Sequence, residues 1–347
     1  MTSALSTAAG LRWLAPRAAR LRRPAAPALR ALRLPAAARA ASSVRVIESV
    51  AELRAWRRQQ LLAGRTVGLV PTMGALHEGH ARLVAGSLSM NDATVVSIFV
   101  NPSQFAPTED LDSYPRDLAA DVALLEAIEP APGAAGAAVD VVFAPTVAEM
   151  YPSGIPLERE RQVGAFVEVE GLSRQLEGAV RPQFFRGVAT VVAKLLNAAT
   201  PDRVYFGQKD VQQTAVIRRL IADLLIDTVM VVVPTVRERG KLALSSRNVY
   251  FSPDQRAAAT VLYDALAAGR DAYRTSPDRA AVVPAVTAAL AAAGVPAADV
   301  DYVSFAEPAM MTEIDRADPI VGAVLSAAIR LTNRAGGKTR IIDNLIL

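Results

Sequence analysis

The sequence predicts an α/β fold in which a parallel β-sheet is covered by helices on both faces. Between residues 66 and 233, short runs rich in Val, Ile and Phe alternate with segments of helical length. This alternation is typical of βα units, whose connecting helices cover both faces of the sheet. The chain has 347 residues, 52% of them hydrophobic, which is enough for two domains with full cores.

The predicted elements of the first domain alternate along the chain. Strands are predicted over residues 67–71, 93–100, 139–143, 204–206 and 228–233. Helices are predicted over residues 79–90, 117–127, 187–198 and 211–223. Because open parallel sheets bind ligands at the carboxyl ends of their strands, the residues just after each strand are the first candidates for a site.

The composition changes after about residue 236, where the chain becomes rich in alanine. Helices are predicted over residues 254–274 and 277–293, and strands over residues 300–305 and 321–332. We therefore expect a first domain of residues 44–235 and a smaller α+β domain of residues 236–347. Prolines interrupt residues 1–43, and no packed structure is expected there.

The N-terminal extension of residues 1–43 is strongly basic. Residues 1–45 hold nine of the 38 Lys and Arg side chains and no acidic residue, so the rest of the chain carries 29 basic and 34 acidic side chains. A mildly acidic body argues against nucleic-acid binding. The Arg-rich, Ala-rich start is typical of an organelle transit peptide, and it predicts a mitochondrial address. The alternatives are a plastid address and a cytoplasmic protein with an unaddressed tail.

Two further features exclude classes of protein. No apolar run is long enough to cross a bilayer, so we expect no membrane association. The chain has no cysteine, which excludes a disulfide framework, a thiol nucleophile and an iron–sulfur site. The sequence is that of an ordinary enzyme in size and composition.

The most informative stretch is residues 71–80, which read Pro-Thr-Met-Gly-Ala-Leu-His-Glu-Gly-His. The stretch follows a predicted strand and opens a predicted helix. It contains His77 and His80, which are the two histidines of the chain. Free backbone N–H groups and the positive end of the helix dipole favour anions at such a place, and imidazoles can donate hydrogen bonds to phosphate oxygens. The stretch therefore predicts a nucleotide site.

Other ligand motifs fit the sequence less well. The spacing of His77 and His80 is one residue short of the zinc motif His-Glu-x-x-His, and the chain offers no cysteine or third histidine. Residues 336–339 read Gly-Gly-Lys-Thr like the end of a P-loop, but the first glycine of that motif falls on Thr332. We predict a turn between strands there. No Gly-x-Gly-x-x-Gly opens a helix, so a dinucleotide site is not supported.

Polar side chains follow other predicted strands. Asn101 and Gln104 carry amides that suit a small polar substrate. Residues 207–210 read Gly-Gln-Lys-Asp, where the lysine can meet phosphate and the aspartate can bind Mg²⁺ or cap the helix. We predict a second phosphate clamp at residues 244–248, which read Leu-Ser-Ser-Arg-Asn. Each loop alone is equally consistent with a solvated loop and a helix cap, but together with the histidine turn they indicate one site.

These motifs resemble, in order, those of the pantoate–β-alanine ligase (pantothenate synthetase) family. The resemblance extends from about residue 45 to residues 339–344, so only the N-terminal extension lies outside it. It implies membership of the HIGH-motif nucleotidyltransferase superfamily, with a Rossmann-like first domain, a C-terminal lid domain and a homodimer. It also implies that ATP and Mg²⁺ are used to join pantoate to β-alanine through a pantoyl-adenylate.

The resemblance implies a role for each motif. His80 is expected to be the catalytic proton donor, and His77, Lys209 and Arg247 are expected to stabilise phosphate charge with it. Gln104 and Gln213 are expected to bind pantoate, Asn101 to help place the amine, and Asp210 to bind Mg²⁺. The expected ATP site comprises Met73, Gly74, Ala75, Leu76, His77, Glu78, Gly79, His80, Gly207, Gln208, Lys209, Asp210, Val236, Leu244, Ser245, Ser246 and Arg247.

The chain departs from the family pattern at two positions. Phe184 stands where the family usually has histidine after Arg-Pro-x, and Gln208 stands where a glutamate usually precedes the lysine. Neither position carries a group assigned to charge stabilisation, so an active enzyme is expected. The alternatives are another adenylyltransferase of the same fold, with a phosphate acceptor, and an inactive nucleotide-binding relative.

Overall fold

The computed structural model describes residues 44–107, 109, 111–238 and 241–347, and the expectations for the N-terminal extension lie outside these residues. A six-stranded sheet spans residues 45–233 and has the strand order β1-β4-β3-β2-β5-β6. All of its neighbouring strands are parallel. The strands are β1 (Arg45–Ile47), β2 (Val67–Thr72), β3 (Ala93–Ile98), β4 (Val141–Phe143), β5 (Arg203–Gly207) and β6 (Val229–Val233).

Helices cover both faces of this sheet. Along β2 and β3, Leu69 and Val95 belong to one buried cluster while Val70 and Val96 belong to the cluster on the opposite face, as the alternation of side chains along a strand requires. The predicted α/β fold is therefore confirmed. The helices are α1 (Val50–Leu62), α2 (Glu78–Met90), α3 (Leu118–Glu126), α4 (Val147–Met150), α5 (Glu177–Val180), α6 (Phe184–Ala199) and α7 (Val211–Asp223).

The strand order reverses between β2 and β5. From β2 the chain adds β3 and then β4 on one side, whereas β5 and β6 lie on the other side. Crevices at such reversals, outside the carboxyl ends of the strands, are the usual ligand sites of open α/β sheets. The histidine turn follows β2, and residues 208–210 follow β5, which ends at Gly207, so the topology places the two strongest sequence motifs on either side of the crevice.

A second sheet follows in the C-terminal region, residues 236–347. Its antiparallel order is β11-β10-β9, and its buried core includes Leu266, Val286, Phe305 and Leu325. The division into domains at residue 235 stays a prediction. The elements are β7 (Arg237–Glu238), β8 (Leu242–Ala243), α8 (Pro253–Ala258), α9 (Val261–Thr275), α10 (Arg279–Ala292), β9 (Val300–Ala306), β10 (Val324–Thr332) and β11 (Lys338–Ile346).

Several predicted boundaries are wrong. The helix expected over residues 254–274 is two helices, and at the break the Thr260 hydroxyl donates to the Ala257 carbonyl at 2.8 Å, competing with the helical backbone. The strand expected over residues 93–100 ends at Ile98, and the one over residues 321–332 begins at Val324. The sequence patterns do not predict β1, α1, α4, α5, β7, β8 or β11. The Gly-Gly-Lys-Thr sequence ends the hairpin turn and begins β11.

In the described part of the chain, no helix is both long enough and apolar enough to span a bilayer.

Candidate active site

A cavity of about 750 Å³ lies beyond the carboxyl ends of β2 and β5. Residues of β11 contribute to its wall together with the loops of the parallel sheet. Five residues expected at the ATP site are not on the wall: Gly74, Ala75, Leu76, Glu78 and Gln208. The other predicted site residues are brought together there: Met73, His77, Gly79, His80, Asn101, Gln104, Gly207, Lys209, Asp210, Gln213, Val236, Leu244, Ser245, Ser246 and Arg247.

The two histidines are fixed by the backbone of their own turn. The His77 N–H donates to Nδ1 of His80 at 3.3 Å, and the Gly79 N–H donates to Nδ1 of His77 at 3.1 Å. The ring centroids are 4.1 Å apart. A Cβ atom on residue 79 would lie 2.8 Å from Cε1 of His77, so glycine is needed there for the ring to fold back over the helix start.

These hydrogen bonds determine the tautomers of both rings. Because Nδ1 accepts a hydrogen bond in each ring, the proton of the neutral imidazole lies on Nε2. Burial lowers the pKa of His80 to about 3, and the neighbouring His77 and Lys209 add to this effect. Burial, followed by the charge of Lys209, lowers the pKa of His77 to about 4. Near neutral pH both rings are therefore uncharged, and each carries an Nε2–H group that can donate a hydrogen bond.

The expectation of free backbone N–H groups in this turn is wrong for five of them, of which that of Gly74 donates to Oγ1 of Thr72 at 3.3 Å. Besides the N–H groups of His77 and Gly79, those of Ala75 and Leu76 donate to the carboxylate of Asp121 at 3.1 and 2.7 Å. The carboxylate therefore occupies donors that a phosphate was expected to use. The imidazole side chains of His77 and His80 both lie on the cavity wall.

Asn101 is saturated by protein contacts. Its Nδ2 donates to the Gly187 carbonyl at 3.2 Å and to Oε1 of Gln104 at 3.1 Å. Its Oδ1 accepts from the hydroxyls of Ser103 at 3.0 Å and Tyr151 at 2.7 Å. An asparagine amide offers two donors and two acceptor positions, and all four are used. In this arrangement Asn101 orients Gln104, and its expected contact with an amine stays a prediction.

The orientation of the Gln104 amide follows from this network. Since Oε1 of Gln104 accepts from Asn101, its Nε2 is the atom left for a ligand. Nε2 lies 3.1 Å from the Met73 sulfur, which is only a weak acceptor. Gln104 is 8% exposed and lines the cavity. It is therefore a preset donor, suited to a carboxylate or hydroxyl oxygen.

The two glutamines at the start of α7 have different roles. Gln212 is buried, and its amide donates to the carbonyls of Leu172 and Gln175 and accepts from the Glu177 N–H. Gln213 lines the cavity, and its amide has no hydrogen-bond partner among the described residues. Gln213 can therefore turn either amide atom towards a ligand.

Lys209 and Asp210 form a charged pair at the end of β5. Nζ of Lys209 lies 3.6 Å from Oδ1 of Asp210, and the Asp210 side chain is 45% exposed. Within the described ranges, no three His, Asp or Glu side chains are grouped so as to hold a metal ion. Mg²⁺ that arrives with a nucleotide needs one or two carboxylates in addition to the phosphates and waters. Asp210 fits that requirement as a single carboxylate ligand.

Residues 244–248, the second predicted phosphate clamp, all line the cavity. The Ser245 hydroxyl accepts from the Arg247 N–H at 3.3 Å, and the hydroxyls of Ser246 and Tyr114 are 3.4 Å apart. Tyr114 comes from the loop between β3 and α3, and it lies on the same wall. Hydroxyl and guanidinium groups from different parts of the chain therefore face one cavity.

The two unusual residues occupy distinct places. Phe184 lines the cavity, and the guanidinium carbon of Arg181 lies 3.9 Å from its ring centroid. Arg181 also pairs with Glu109 at 2.6 Å. Gln208 is not on the cavity wall, and its amide donates to Oδ1 of Asn344 at 3.2 Å. At residue 184, where the family usually has histidine, the phenylalanine makes a cation–π contact. At residue 208, where the family usually has glutamate, the glutamine contacts β11.

Sequence reasoning missed the polar cluster at the junction of the two regions. Arg340 of β11 donates two hydrogen bonds to the Glu177 carboxylate, at 2.5 and 2.6 Å, and the Tyr302 hydroxyl donates to the same carboxylate at 2.9 Å. All three residues line the cavity. Residues 339–344 were recognised as a family motif, but no local pattern indicated a partner 163 positions away.

Comparison with known proteins agrees with this geometry. A family model described as pantoate-beta-alanine ligase matches residues 45–346. Pantothenate synthetase of Roseiflexus castenholzii is 49% identical over 304 residues, which cover 88% of this chain and 99% of that protein. Pantoate–β-alanine ligase of Saccharomyces cerevisiae is 44% identical over 325 residues, covering 88% and 100%.

Solved structures give the same result. The crystal structure of pantothenate synthetase from Thermus thermophilus is 42% identical, with a TM-score of 0.75, and the match covers 87% of this chain and 99% of that one. The pantoate-beta-alanine ligase of Francisella tularensis, solved in complex with beta-gamma ATP and beta-alanine, is 29% identical, with a TM-score of 0.65 and coverage of 87% and 97%.

Proposed function

The chain belongs to the pantoate–β-alanine ligase family, and from this premise we propose that it condenses pantoate with β-alanine to give pantothenate, AMP and pyrophosphate. One observation carries the proposal. A single cavity joins two neutral imidazole donors and a lysine, which suit phosphates, to two glutamine amides, which suit a hydroxy acid. The ligand named in the Francisella tularensis structure supports ATP as the nucleotide.

In the first half-reaction, a carboxylate oxygen of pantoate attacks the α-phosphorus of ATP. The new O–P bond forms as the bond to the pyrophosphate oxygen breaks, and negative charge grows on the phosphoryl and leaving oxygens. Nε2–H of His77 and His80, the Lys209 ammonium and the Arg247 guanidinium stabilise this charge. Because the two imidazoles are already oriented by their backbone contacts, they need no reorganisation during the step.

In the second half-reaction, the β-alanine amine attacks the acyl carbonyl of pantoyl-adenylate. The C–N bond forms, the C–O bond to AMP breaks, and the amine proton passes to water or phosphate. Gln104 donates from Nε2 to hold the pantoyl group, while Asn101 acts through Gln104. Positioning therefore accounts for this step, with no dedicated base.

Mg²⁺ belongs to the same proposal. Bound to the ATP phosphates, it would neutralise part of their charge, and Asp210 is the carboxylate of this chain that would hold it. Asp210 also lies beside Lys209, so the lysine limits the negative charge that the carboxylate adds to the phosphate site.

The address and the assembly are proposed separately. We propose that residues 1–43 direct the chain to mitochondria, because they are Arg-rich and free of acidic residues. The test is a fluorescent reporter fused to residues 1–43, with a matched fusion in which Arg17, Arg20, Arg22 and Arg23 are replaced by Glu. Import of the first fusion and not of the second is expected. Cytosolic fluorescence from the first would support the unaddressed tail.

We also propose a homodimer. The sheet ends at the edge strand β6, where Val229 is 62% exposed, and Leu225, just before it, is 89% exposed. Exposed apolar side chains beside an unpaired strand edge favour self-association. Sedimentation equilibrium of the full chain is expected to give twice the monomer mass, and Leu225→Asp with Val229→Asp to shift it towards monomer. A parent chain that sediments as a monomer at micromolar concentration would contradict this proposal.

The activity is tested on the purified full chain with ATP and Mg²⁺. Pyrophosphate release that requires pantoate is expected, with AMP release on turnover that requires β-alanine as well. Lys209→Ala is the matched variant, expected to lose about a hundredfold in pyrophosphate release while leaving the capture of preformed pantoyl-adenylate unchanged. Nucleotide binding without pyrophosphate release would favour the inactive relative. Release that depends on a phosphate-bearing acceptor would favour another adenylyltransferase.

A further inference from the structure

The turn between β2 and α2 has an unusual backbone. Gly74 and Ala75 are consecutive residues with positive φ, 81° and 50°. Residues other than glycine seldom adopt this left-handed conformation, and they keep it only where the surroundings hold them. The same turn leads directly into the histidines, so whatever holds it also determines where their rings lie.

The turn is held by a carboxylate from a different helix. Asp121 of α3 is 5% exposed, and its two oxygens accept from the N–H groups of Ala75 and Leu76 at 3.1 and 2.7 Å. A Cβ atom on residue 74 would lie 2.9 Å from Oδ2 of Asp121, so the glycine makes room for the carboxylate. No Lys or Arg side chain pairs with Asp121 among the described residues.

The contacts continue from this carboxylate to the cavity. Leu76, which donates to Asp121, immediately precedes His77, and the His77 N–H donates to Nδ1 of His80. That last hydrogen bond places the proton of the ring on Nε2. The negative charge of Asp121 near a phosphate site disfavours binding of an anionic ligand. We therefore attribute its contribution to the conformation that it stabilises in the turn.

We propose that Asp121 is a positioning residue for adenylation, whose buried carboxylate holds the turn that orients the His80 imidazole. The inference rests on the proposed function for its kinetic consequence, while its structural part stands on the contacts alone. Asp121 does not line the cavity and acts only through residues 75–77.

The test uses Asp121→Asn in the full chain, with Asp117→Asn as the matched control. The amide introduced by Asp121→Asn keeps one acceptor oxygen but turns an NH₂ group towards the second N–H. Asp117 caps the same helix through the Ala120 N–H, and asparagine caps equally well, so the control preserves α3. Single-turnover adenylation is expected to fall about tenfold to a hundredfold in Asp121→Asn and to stay at the parental rate in the control.

Two further measurements separate positioning from loss of structure. The chain has two histidines, so ¹⁵N-histidine NMR resolves both rings. The parent is expected to show Nε2–H tautomers, and Asp121→Asn a mixture at His80. The reaction of β-alanine with preformed pantoyl-adenylate is expected to be unchanged. If Asp121→Asn does not fold, Gly74→Ala, which crowds the same carboxylate, takes its place with the same expectations.

The outcomes are distinct. A parental NMR spectrum, or adenylation within about twofold of the parent, would overturn the role of Asp121. Failure of the parent to release pyrophosphate would instead contradict the proposed function, and the tautomer of His80 would still decide whether Asp121 holds the turn.

Discussion

The two sides of the cavity differ in how firmly their functional groups are held. On the side formed by the loops after β2 and β3, His77, His80 and Gln104 each receive a hydrogen bond that fixes the orientation of the side chain. On the side formed by the end of β5 and the start of α7, the Gln213 amide has no partner in the described part of the chain, and Lys209 meets only its neighbour Asp210, at 3.6 Å.

This difference suits a reaction in which charge moves. Groups that stabilise a developing charge are most effective when they are already oriented, because reorganisation then costs little. Side chains that contact a departing pyrophosphate, or that adapt to the flexible substrate acid, benefit from rotational freedom. We infer that the first side contributes more to the rate of adenylation, and that the second side, which also contributes through Lys209, accommodates the ligands.

The largest effect is expected from the first side. His80→Ala removes a buried, preoriented donor, and it should lower single-turnover adenylation by about two to four orders of magnitude. Circular dichroism should show an unchanged fold. Rapid-quench measurement of pyrophosphate release is the test, with Lys209→Ala as the comparison from the second side. Adenylation at the parental rate in His80→Ala, or a larger loss of rate in Lys209→Ala, would contradict the inference that the first side contributes more to the rate.

The second prediction concerns the stability of the first side against acid. Burial lowers the pKa of His77 to about 4 and of His80 to about 3, from an ordinary value of 6.5. The unfolded chain therefore binds protons that the folded chain does not as pH falls below 6.5. Stability should decrease from pH 6.5 towards pH 4 by a few kcal/mol.

Urea denaturation across this pH range measures the effect. The double variant His77→Gln, His80→Gln contains no imidazole, so its unfolding free energy should change much less between pH 6.5 and pH 5, where carboxylates have barely begun to titrate. Parallel pH profiles for the parent and the double variant would show that the histidines are not buried as neutral groups.

The third prediction compares Gln104, whose amide is oriented by Asn101, with Gln213, whose amide can rotate. Removing either amide leaves polar groups of pantoate unpaired, and it should weaken pantoate binding by roughly 1–3 kcal/mol, or about tenfold to a hundredfold. Gln213→Glu should be worse than Gln213→Ala, because its carboxylate would face that of the substrate. Asn101→Ala frees the Gln104 amide to rotate, and it should weaken pantoate binding by less than Gln104→Ala does.

Calorimetric titrations of pantoate and of ATP, made separately, provide the measurement. The ATP affinity should change little in all of these variants. If ATP binding falls while pantoate binding is retained, the pocket has been assigned to the wrong residues. If Asn101→Ala has no effect, the orientation of Gln104 does not matter to recognition.

The comparison also explains which features could be predicted from the sequence. The histidine turn is a local pattern, in which a strand, a glycine and a helix start lie within ten residues, so both histidines were identified. The residues that hold them are distant in sequence: Asp121 lies 45 positions from Leu76. The contacts of Asn101 with Tyr151, 50 positions away, and Gly187, 86 positions away, could not be predicted either, because they leave no local trace in the sequence.

The smallest effect on catalysis is expected from Gln208→Glu, at the place where β11 contacts the main chain of the second side. Nδ2 of Asn344 donates to the carbonyls of Gln208 and Lys209 at 2.9 Å each, and its Oδ1 accepts from the Gln208 amide. The main chain at Lys209 is thus tied to β11 while the ammonium stays free to move. Gln208→Glu replaces the donor by a carboxylate, and it should cost no more than about 1 kcal/mol, since the new side chain can turn to solvent.

We therefore expect Gln208→Glu to change the KM for ATP by less than about fivefold and to leave the adenylation rate near the parental value. Asn344→Ala, which removes both contacts with the backbone carbonyls, should have the larger effect of the two and should act mainly on the KM for ATP. Steady-state kinetics with saturating pantoate and β-alanine distinguish the two parameters. A tenfold gain in adenylation rate from Gln208→Glu would mean that the side chain at residue 208 acts on the reacting phosphates. That result would contradict the inference that the second side works through a fixed backbone and a freely moving Lys209 side chain.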